Sequence, residues 1–145
     1  MGEAEDRLTR VRILLADDHE EMRDRVVRLL ERDFDVIAAV ADGAALLEAE
    51  SKMQPDVCVL DISMGAGCGI DAAVRLKASG SKAKIVFLTV HEDPDFVQAS
   101  LEAGALGYVF KSRMASDLRA AIMGAMAGRV FVSDFHKLDK SVVDK

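Results

Sequence analysis

The chain has 145 residues, half of them hydrophobic, and a formal net charge of −6. That length suits one domain that buries roughly two thirds of the surface of its unfolded chain, and the acidic balance argues against a basic face for nucleic-acid phosphates. No apolar run approaches a membrane span, the start "MGEAEDRLTR" lacks a signal core, and Cys58 and Cys68 make no disulfide framework, so a cytoplasmic protein without membrane contact is expected.

After a charged extension over residues 1–10, the first strand is expected at "VRILLAD" (11–17), which runs straight into Asp17 and Asp18. Asp18, with Glu21 three residues on, reads as the cap of the next helix. Asp17 has no such local reason. That helix places Met22, Val26, Leu29 and Leu30 on one stripe, with Arg23, Arg25, Arg28 and Glu31 largely off it. "DVIAAVAD" (35–42) is the second strand, and the helix "GAALLEAESKM" stops ahead of Pro55. The third strand, "DVCVLD" (56–61), closes on Asp61; Cys58 inside it reads as core. "GIDAAVRLKASG" is a helix with Ile70, Val74 and Leu76 on its apolar side and Gly80 at its end. "KIVFLTV" (84–90) carries Thr89, and the following helix starts on Pro94 and ends on Gly104. "GYVFK" (107–111) is a fifth strand ending on Lys111, and the last helix carries Met114, Leu118, Ile122 and Ala125. The domain is expected over 11–128, with a strand-like connecting piece and a mobile polar tail in 129–145.

The strands are apolar almost throughout instead of alternating, which implies a parallel sheet covered on both faces. Five β-α units with right-handed crossovers give an α/β, doubly wound, flavodoxin-like three-layer sandwich of strand order 2-1-3-4-5. Its ligand edge then collects Asp17, Asp18, Asp61, Thr89 and Lys111. Three carboxylates about 5 Å apart repel by about 3 kcal/mol per pair at an effective dielectric near 20, so the cluster calls for a cation. Hard oxygens with no histidine or thiolate at the strand ends favour Mg2+ over zinc. Phosphoryl transfer would use each remaining group: Asp61 as oxygen nucleophile, Lys111 against the developing charge, Thr89 as a hydroxyl donor. A dinucleotide site would need a glycine-rich turn after the first strand, where this chain is acidic.

In this order and spacing, "LLADDHEEMR", "CVLDISM", "FLTVHED" and "GYVFK" resemble the response regulator receiver domains of bacterial two-component signalling, over about residues 11–128. The resemblance implies that Asp61 is the phosphoacceptor, and that Asp17 and Asp18 serve Mg2+ with Asp61 and the backbone carbonyl of Ser63. It further implies Thr89 as the switch hydroxyl, Lys111 as the phosphate-pairing lysine and Tyr108 as the aromatic switch. "LTVHED", "ASLEAGALGYVFKS" and "GRVFVS" resemble the subfamily that controls a helix-turn-helix DNA-binding domain. That implies a sensor histidine kinase or small phosphodonor upstream, homodimerisation as a usual consequence, and DNA contact only through an output domain outside this chain.

Two departures stand out. Gly65 occupies the family's usual proline position, with Gly67 and Gly69 following, so that loop is expected to be mobile. Ser112 follows Lys111 where the family commonly has a cis proline; a retained cis bond would cost about 3 to 4 kcal/mol, so either the strain is held or the lysine is presented differently. Two other function classes compete with a signalling switch. An aspartyl-phosphate phosphatase would want a second acid two residues after its nucleophile, where Ser63 stands. A metal-free receiver serving only as a binding module is opposed by the presence of all five chemical groups. His19 and His91 read as solvent-facing loop residues, and Cys68 as a thiol with no basic cluster to activate it.

Overall fold

The first strand, β1 (Arg12–Ala16), is buried from Ile13 onward and β3 (Val57–Leu60) along its whole length, so neither has a face to offer to water. In the computed structural model, which describes residues 10–65 and 67–133, these two pair in parallel at the heart of the sheet. Residues 1–9 of the N-terminal extension and the tail beyond Ser133 lie outside the described residues. In chain order the other strands are β2 (Asp35–Val40), β4 (Ser63–Met64), β5 (Gly67–Cys68), β6 (Lys84–Thr89), β7 (Gly107–Phe110) and β8 (Phe131–Val132). Among the described residues they form a six-stranded parallel sheet of order β2-β1-β3-β6-β7-β8 and a separate antiparallel hairpin of β4 and β5. The five long strands follow the expected 2-1-3-4-5 winding. The strand-like piece in "RVFVS" adds a short sixth strand beside β7.

Among the described residues five α-helices cover the sheet: α1 (Glu20–Leu30), α2 (Gly43–Met53), α3 (Gly69–Ala78), α4 (Pro94–Glu102) and α5 (Met114–Met126). Alternate strand residues point to opposite sides. Leu14, Leu60, Phe87 and Tyr108 pack with Leu46, Leu76 and Val97 under α2, α3 and α4. Ile13, Val59, Val86 and Val109 pack with Val26 and Leu30 of α1 and Leu118 and Ile122 of α5. Each fully buried leucine, isoleucine or phenylalanine stabilises the fold by roughly 1.5–3 kcal/mol. Cys58 belongs to the first of these cores, and burial, with some help from the charge of Glu50, pushes its thiol up to about 12.

Local chemistry sets the helix ends. Asp42 accepts from the Ala45 N–H (2.8 Å) to start α2, which closes on Gln54 in the left-handed region (φ 49°) before Pro55. Asp93 caps α4 ahead of Pro94, and Gly104 (φ 100°) follows its end. Two expectations are corrected. The cap residue of α1 is His19, without a side-chain cap bond, and not Asp18. On α3, Val74 is half exposed; Ala72, Ala73 and Leu76 are the buried residues, because the inward stripe runs through the small side chains. In a parallel sheet every strand's carboxyl end falls on one edge, and the charged residues are there.

Candidate functional site

Ala16 lies opposite Leu60 in the register of β1 and β3, so the residues that follow them are neighbours. The Asp61 N–H donates to the Ala16 carbonyl (3.1 Å) and the Asp17 N–H to the Val40 carbonyl (3.0 Å), which pins both aspartates to the sheet edge. The Lys111 ammonium at the end of β7 lies 2.8 Å from Asp17 Oδ2 and 2.8 Å from Asp61 Oδ2, and all three side chains are buried. Burial pulls the lysine's pKa down, but hydrogen bonds and attraction from the two carboxylates outweigh it and hold the group above its ordinary value. Lys111 is therefore charged at neutral pH.

Asp18 is the more exposed acid of the pair. Its Oδ2 accepts from the Gly65 N–H at 2.7 Å, a partner 47 residues away, which is why local reasoning mistook it for a cap. His19 does not simply face solvent either. Its Nδ1 lies 3.0 Å from Asp18 Oδ1 and 3.3 Å from Asp17 Oδ1, and its N–H donates to Asp17 Oδ1 at 2.9 Å. Arg23, on α1, donates to the Asp17 carbonyl (2.8 Å).

Asp17, Asp18, His19 and Asp61 each offer one ligand atom, and these atoms all lie within 4.8 Å of one another. At that spacing two carboxylates repel by about 3 kcal/mol at an effective dielectric near 20, and one lysine cannot balance three acids. The donor set, dominated by hard carboxylate oxygens, fits Mg2+. The Ser63 carbonyl points out of the β4–β5 hairpin. Gly69 N–H donates to Ile62 O (2.6 Å), so the next pair, Ser63 opposite Cys68, is the non-hydrogen-bonded kind whose N–H and C=O point out of the hairpin. Ser63 N–H indeed points at Asp61 Oδ1, 3.4 Å away.

The glycines in this loop are not equivalent. Gly65 takes a positive φ of 59° while presenting its N–H to Asp18. A Cβ on Gly69 would collide with the Asp61 carbonyl oxygen and lie 2.9 Å from its carbonyl carbon. Gly69 is thus a residue the site depends on and sequence reasoning missed; its only signal is a glycine at a helix start where a side chain would otherwise be favoured.

Thr89 is fully buried, and its Oγ1 accepts from the His91 N–H (3.2 Å). Tyr108 is fully buried too, its hydroxyl donating to the His91 carbonyl at 2.6 Å and its ring lying 6.4 Å from Phe87 and 6.1 Å from Phe110. Burial, then the charges of Asp93, Asp61 and Glu92, push its phenol well above the usual value. His91 joins these parts: its Nε2 lies 2.9 Å from Ser63 Oγ and its ring centroid 4.6 Å from that of Phe96. The Lys111–Ser112 peptide is trans, like every peptide among the described residues. The lysine reaches both acids from that geometry.

A family model for the response regulator receiver domain matches residues 13–123. The chain belongs to that family. A nitrate/nitrite response regulator homologue from Haemophilus influenzae is 34% identical over 127 residues, covering 86% of this chain and 61% of that protein. The nitrate/nitrite response regulator NarP of Escherichia coli is 36% identical over 126 residues, covering 85% and 59%. Among solved structures, a LuxR-family two-component response regulator from Aurantimonas is similar with a TM-score of 0.85 at 31% identity, over 94% of this chain and 97% of that one. The receiver domain thus spans about three fifths of the length of these curated relatives. Its relatives are signalling and transcriptional regulators, and its acidic pocket is of the kind in which receiver domains bind Mg2+. No helix among the described residues is long and apolar enough to cross a membrane.

Proposed function

We propose that this receiver domain is a phosphorylation-dependent switch with Asp61 as phosphoacceptor. The observation that carries this reading is the Lys111 ammonium held between the buried carboxylates of Asp17 and Asp61, 2.8 Å from each. Asp17, Asp18, Asp61 and the Ser63 carbonyl would hold Mg2+, which supplies positive charge to the incoming phosphoryl oxygens. An Asp61 oxygen bonds to phosphorus while the donor's P–N bond, in a kinase phosphohistidine, or P–O bond, in acetyl phosphate, breaks; the electron pair leaves with imidazole or acetate. Lys111 trades part of its contact with Asp61 for a phosphoryl oxygen. Thr89 gives up the His91 N–H and turns its hydroxyl toward the new charge. Because the same His91 backbone accepts the Tyr108 hydroxyl, that movement reaches Tyr108 and the face made by α4 and β7.

A sensor histidine kinase is the proposed donor, and homodimerisation and DNA binding through an output domain the proposed consequences. Residues 11–128 are proposed as the receiver unit, with 1–10 as an extension and 129–145 leading toward that output. Intact mass after incubation with acetyl phosphate and Mg2+ tests the assignment. One acid-labile phosphoryl adduct is expected on the wild-type chain and none on Asp61→Asn. An adduct that is acid-stable, or retained in Asp61→Asn, would refute it.

A further inference from the structure

The residue before Lys111 is held by a side chain from past the last helix. Phe110 N–H donates to Ser133 Oγ at 3.1 Å, and that hydroxyl donates in turn to Asp117 Oδ2 at 2.8 Å. Ser133 is 1% exposed, and its own N–H donates to the Tyr108 carbonyl (2.9 Å), extending a ladder in which Phe131 opposes Gly107 and Val132 opposes Tyr108. Asp117 stands in the first turn of α5, where its carboxylate also accepts from Ser116 Oγ (3.0 Å) and Arg113 Nε (3.1 Å). One buried hydroxyl therefore joins the end of β7, the start of α5 and the close of β8.

This cluster sits beside the turn that follows Lys111. No proline ring stiffens the turn after Lys111; a single 3-10 turn, Lys111–Arg113, follows through a trans peptide. Something else must fix where β7 releases the lysine. We infer that Ser133 and Asp117 are positioning residues for Lys111, acting through the Phe110 amide to hold the ammonium between Asp17 and Asp61. Removing the hydroxyl strips a partner from a buried N–H and from a buried carboxylate at once; Phe110 immediately precedes Lys111, and Asp117 stands in the first turn of the helix that follows the Lys111–Arg113 turn. The inference rests on the reading of Lys111 as the phosphate-pairing cation, and it makes Phe131, Val132 and Ser133 part of the working site.

The test uses the full chain and four variants: Ser133→Ala, Ser133→Thr, Lys111→Ala, and the double variant with Lys111→Ala and Ser133→Ala. The rate of phosphoryl uptake from acetyl phosphate with Mg2+ is followed by intact mass, and Mg2+ affinity is measured separately by calorimetry. Ser133→Ala is expected to slow uptake on the order of tenfold, with Ser133→Thr and the Mg2+ affinity staying within about twofold of wild type. In the Lys111→Ala background the Ser133 change should cost less than about twofold, because the group it positions is gone. Should Ser133→Ala fail to fold, Asp117→Asn carries the same comparison with an expected loss of about threefold. Wild-type uptake in a folded Ser133→Ala chain (or in Asp117→Asn where that is used instead), or an equal fold-loss from Ser133→Ala in both lysine backgrounds, overturns the inference while leaving the phosphoacceptor intact. Failure of the wild-type chain to be phosphorylated on Asp61 overturns both.

Discussion

A methyl group added at Gly69 would meet only backbone: the Asp61 carbonyl oxygen in hard collision, the Asp61 carbonyl carbon at 2.9 Å and the Ile62 Cα at 3.1 Å. None of these can rotate away, and the Gly69 N–H is already bonded to Ile62 O at 2.6 Å. Relief in Gly69→Ala therefore requires the start of α3 and the backbone of Asp61 to part by roughly an ångström, which costs about 1–3 kcal/mol of stability. For a chain of this length that is a fall in Tm of about 3–10 °C. The larger consequence is chemical, since a shift of that size at a reacting group costs roughly a hundredfold in rate. Gly65→Ala is the control. Its Cβ would have nothing within 4 Å, so only the left-handed backbone (φ 59°) is penalised, by about 1–2 kcal/mol, and uptake should remain within about threefold of wild type. Melting curves and acetyl-phosphate uptake rates on the two variants decide the matter. A Gly69→Ala chain that melts and phosphorylates like wild type would refute the claim that this contact positions the phosphoacceptor.

Other outcomes follow from the same geometry. Lys111→Met leaves two buried carboxylates without their cation and should cost about 3–5 kcal/mol in metal-free buffer, with Mg2+ restoring much of the loss in a melting experiment. Because the folded pKa of Lys111 is raised, its contribution is fully present below the unfolded value of about 10.4 and lost as pH rises through the folded one. The stability gap between wild type and Lys111→Met should thus hold from pH 7 to 10 and close above it. For Asp117, desolvation raises the pKa, but hydrogen bonds from Ser133, Ser116 and Arg113 prevail and lower it. Its contribution is therefore present above about 3.9 and lost as pH falls through the folded value, so denaturant midpoints of wild type and Asp117→Asn should converge in acid. Tyr108→Phe removes the 2.6 Å bond to the His91 carbonyl and should lower stability by about 1 kcal/mol, leaving phosphoryl uptake near wild type.

What could be read in the sequence and what could not divide along a physical line. The long strands were legible because burial on both faces leaves a nearly unbroken apolar run, and Asp17, Asp61 and Lys111 meet, with Thr89 closing β6, because a parallel sheet must put its strand ends on one edge. Asp18 was misread as a cap because its true partner, the Gly65 N–H, is remote in sequence and carries no side-chain signature. The β4–β5 hairpin was missed for the same reason, being only two residues per strand and held by backbone bonds. Val74 was placed inward by residue type, whereas the close approach of α3 to the sheet favours Ala72 and Ala73 there. His91 and Ser133 act through contacts across 28 and 23 residues, which no local pattern reports.

Acyl-phosphate formation on Asp61 can be read at one position. Treatment of the chain with acetyl phosphate and Mg2+, followed by borohydride reduction and peptide mapping, converts an acyl phosphate to homoserine at the modified residue. Homoserine at position 61, absent when Mg2+ is chelated, is the expected result. Homoserine at 17 or 18, or none at any position after full incubation with Mg2+, would contradict the account.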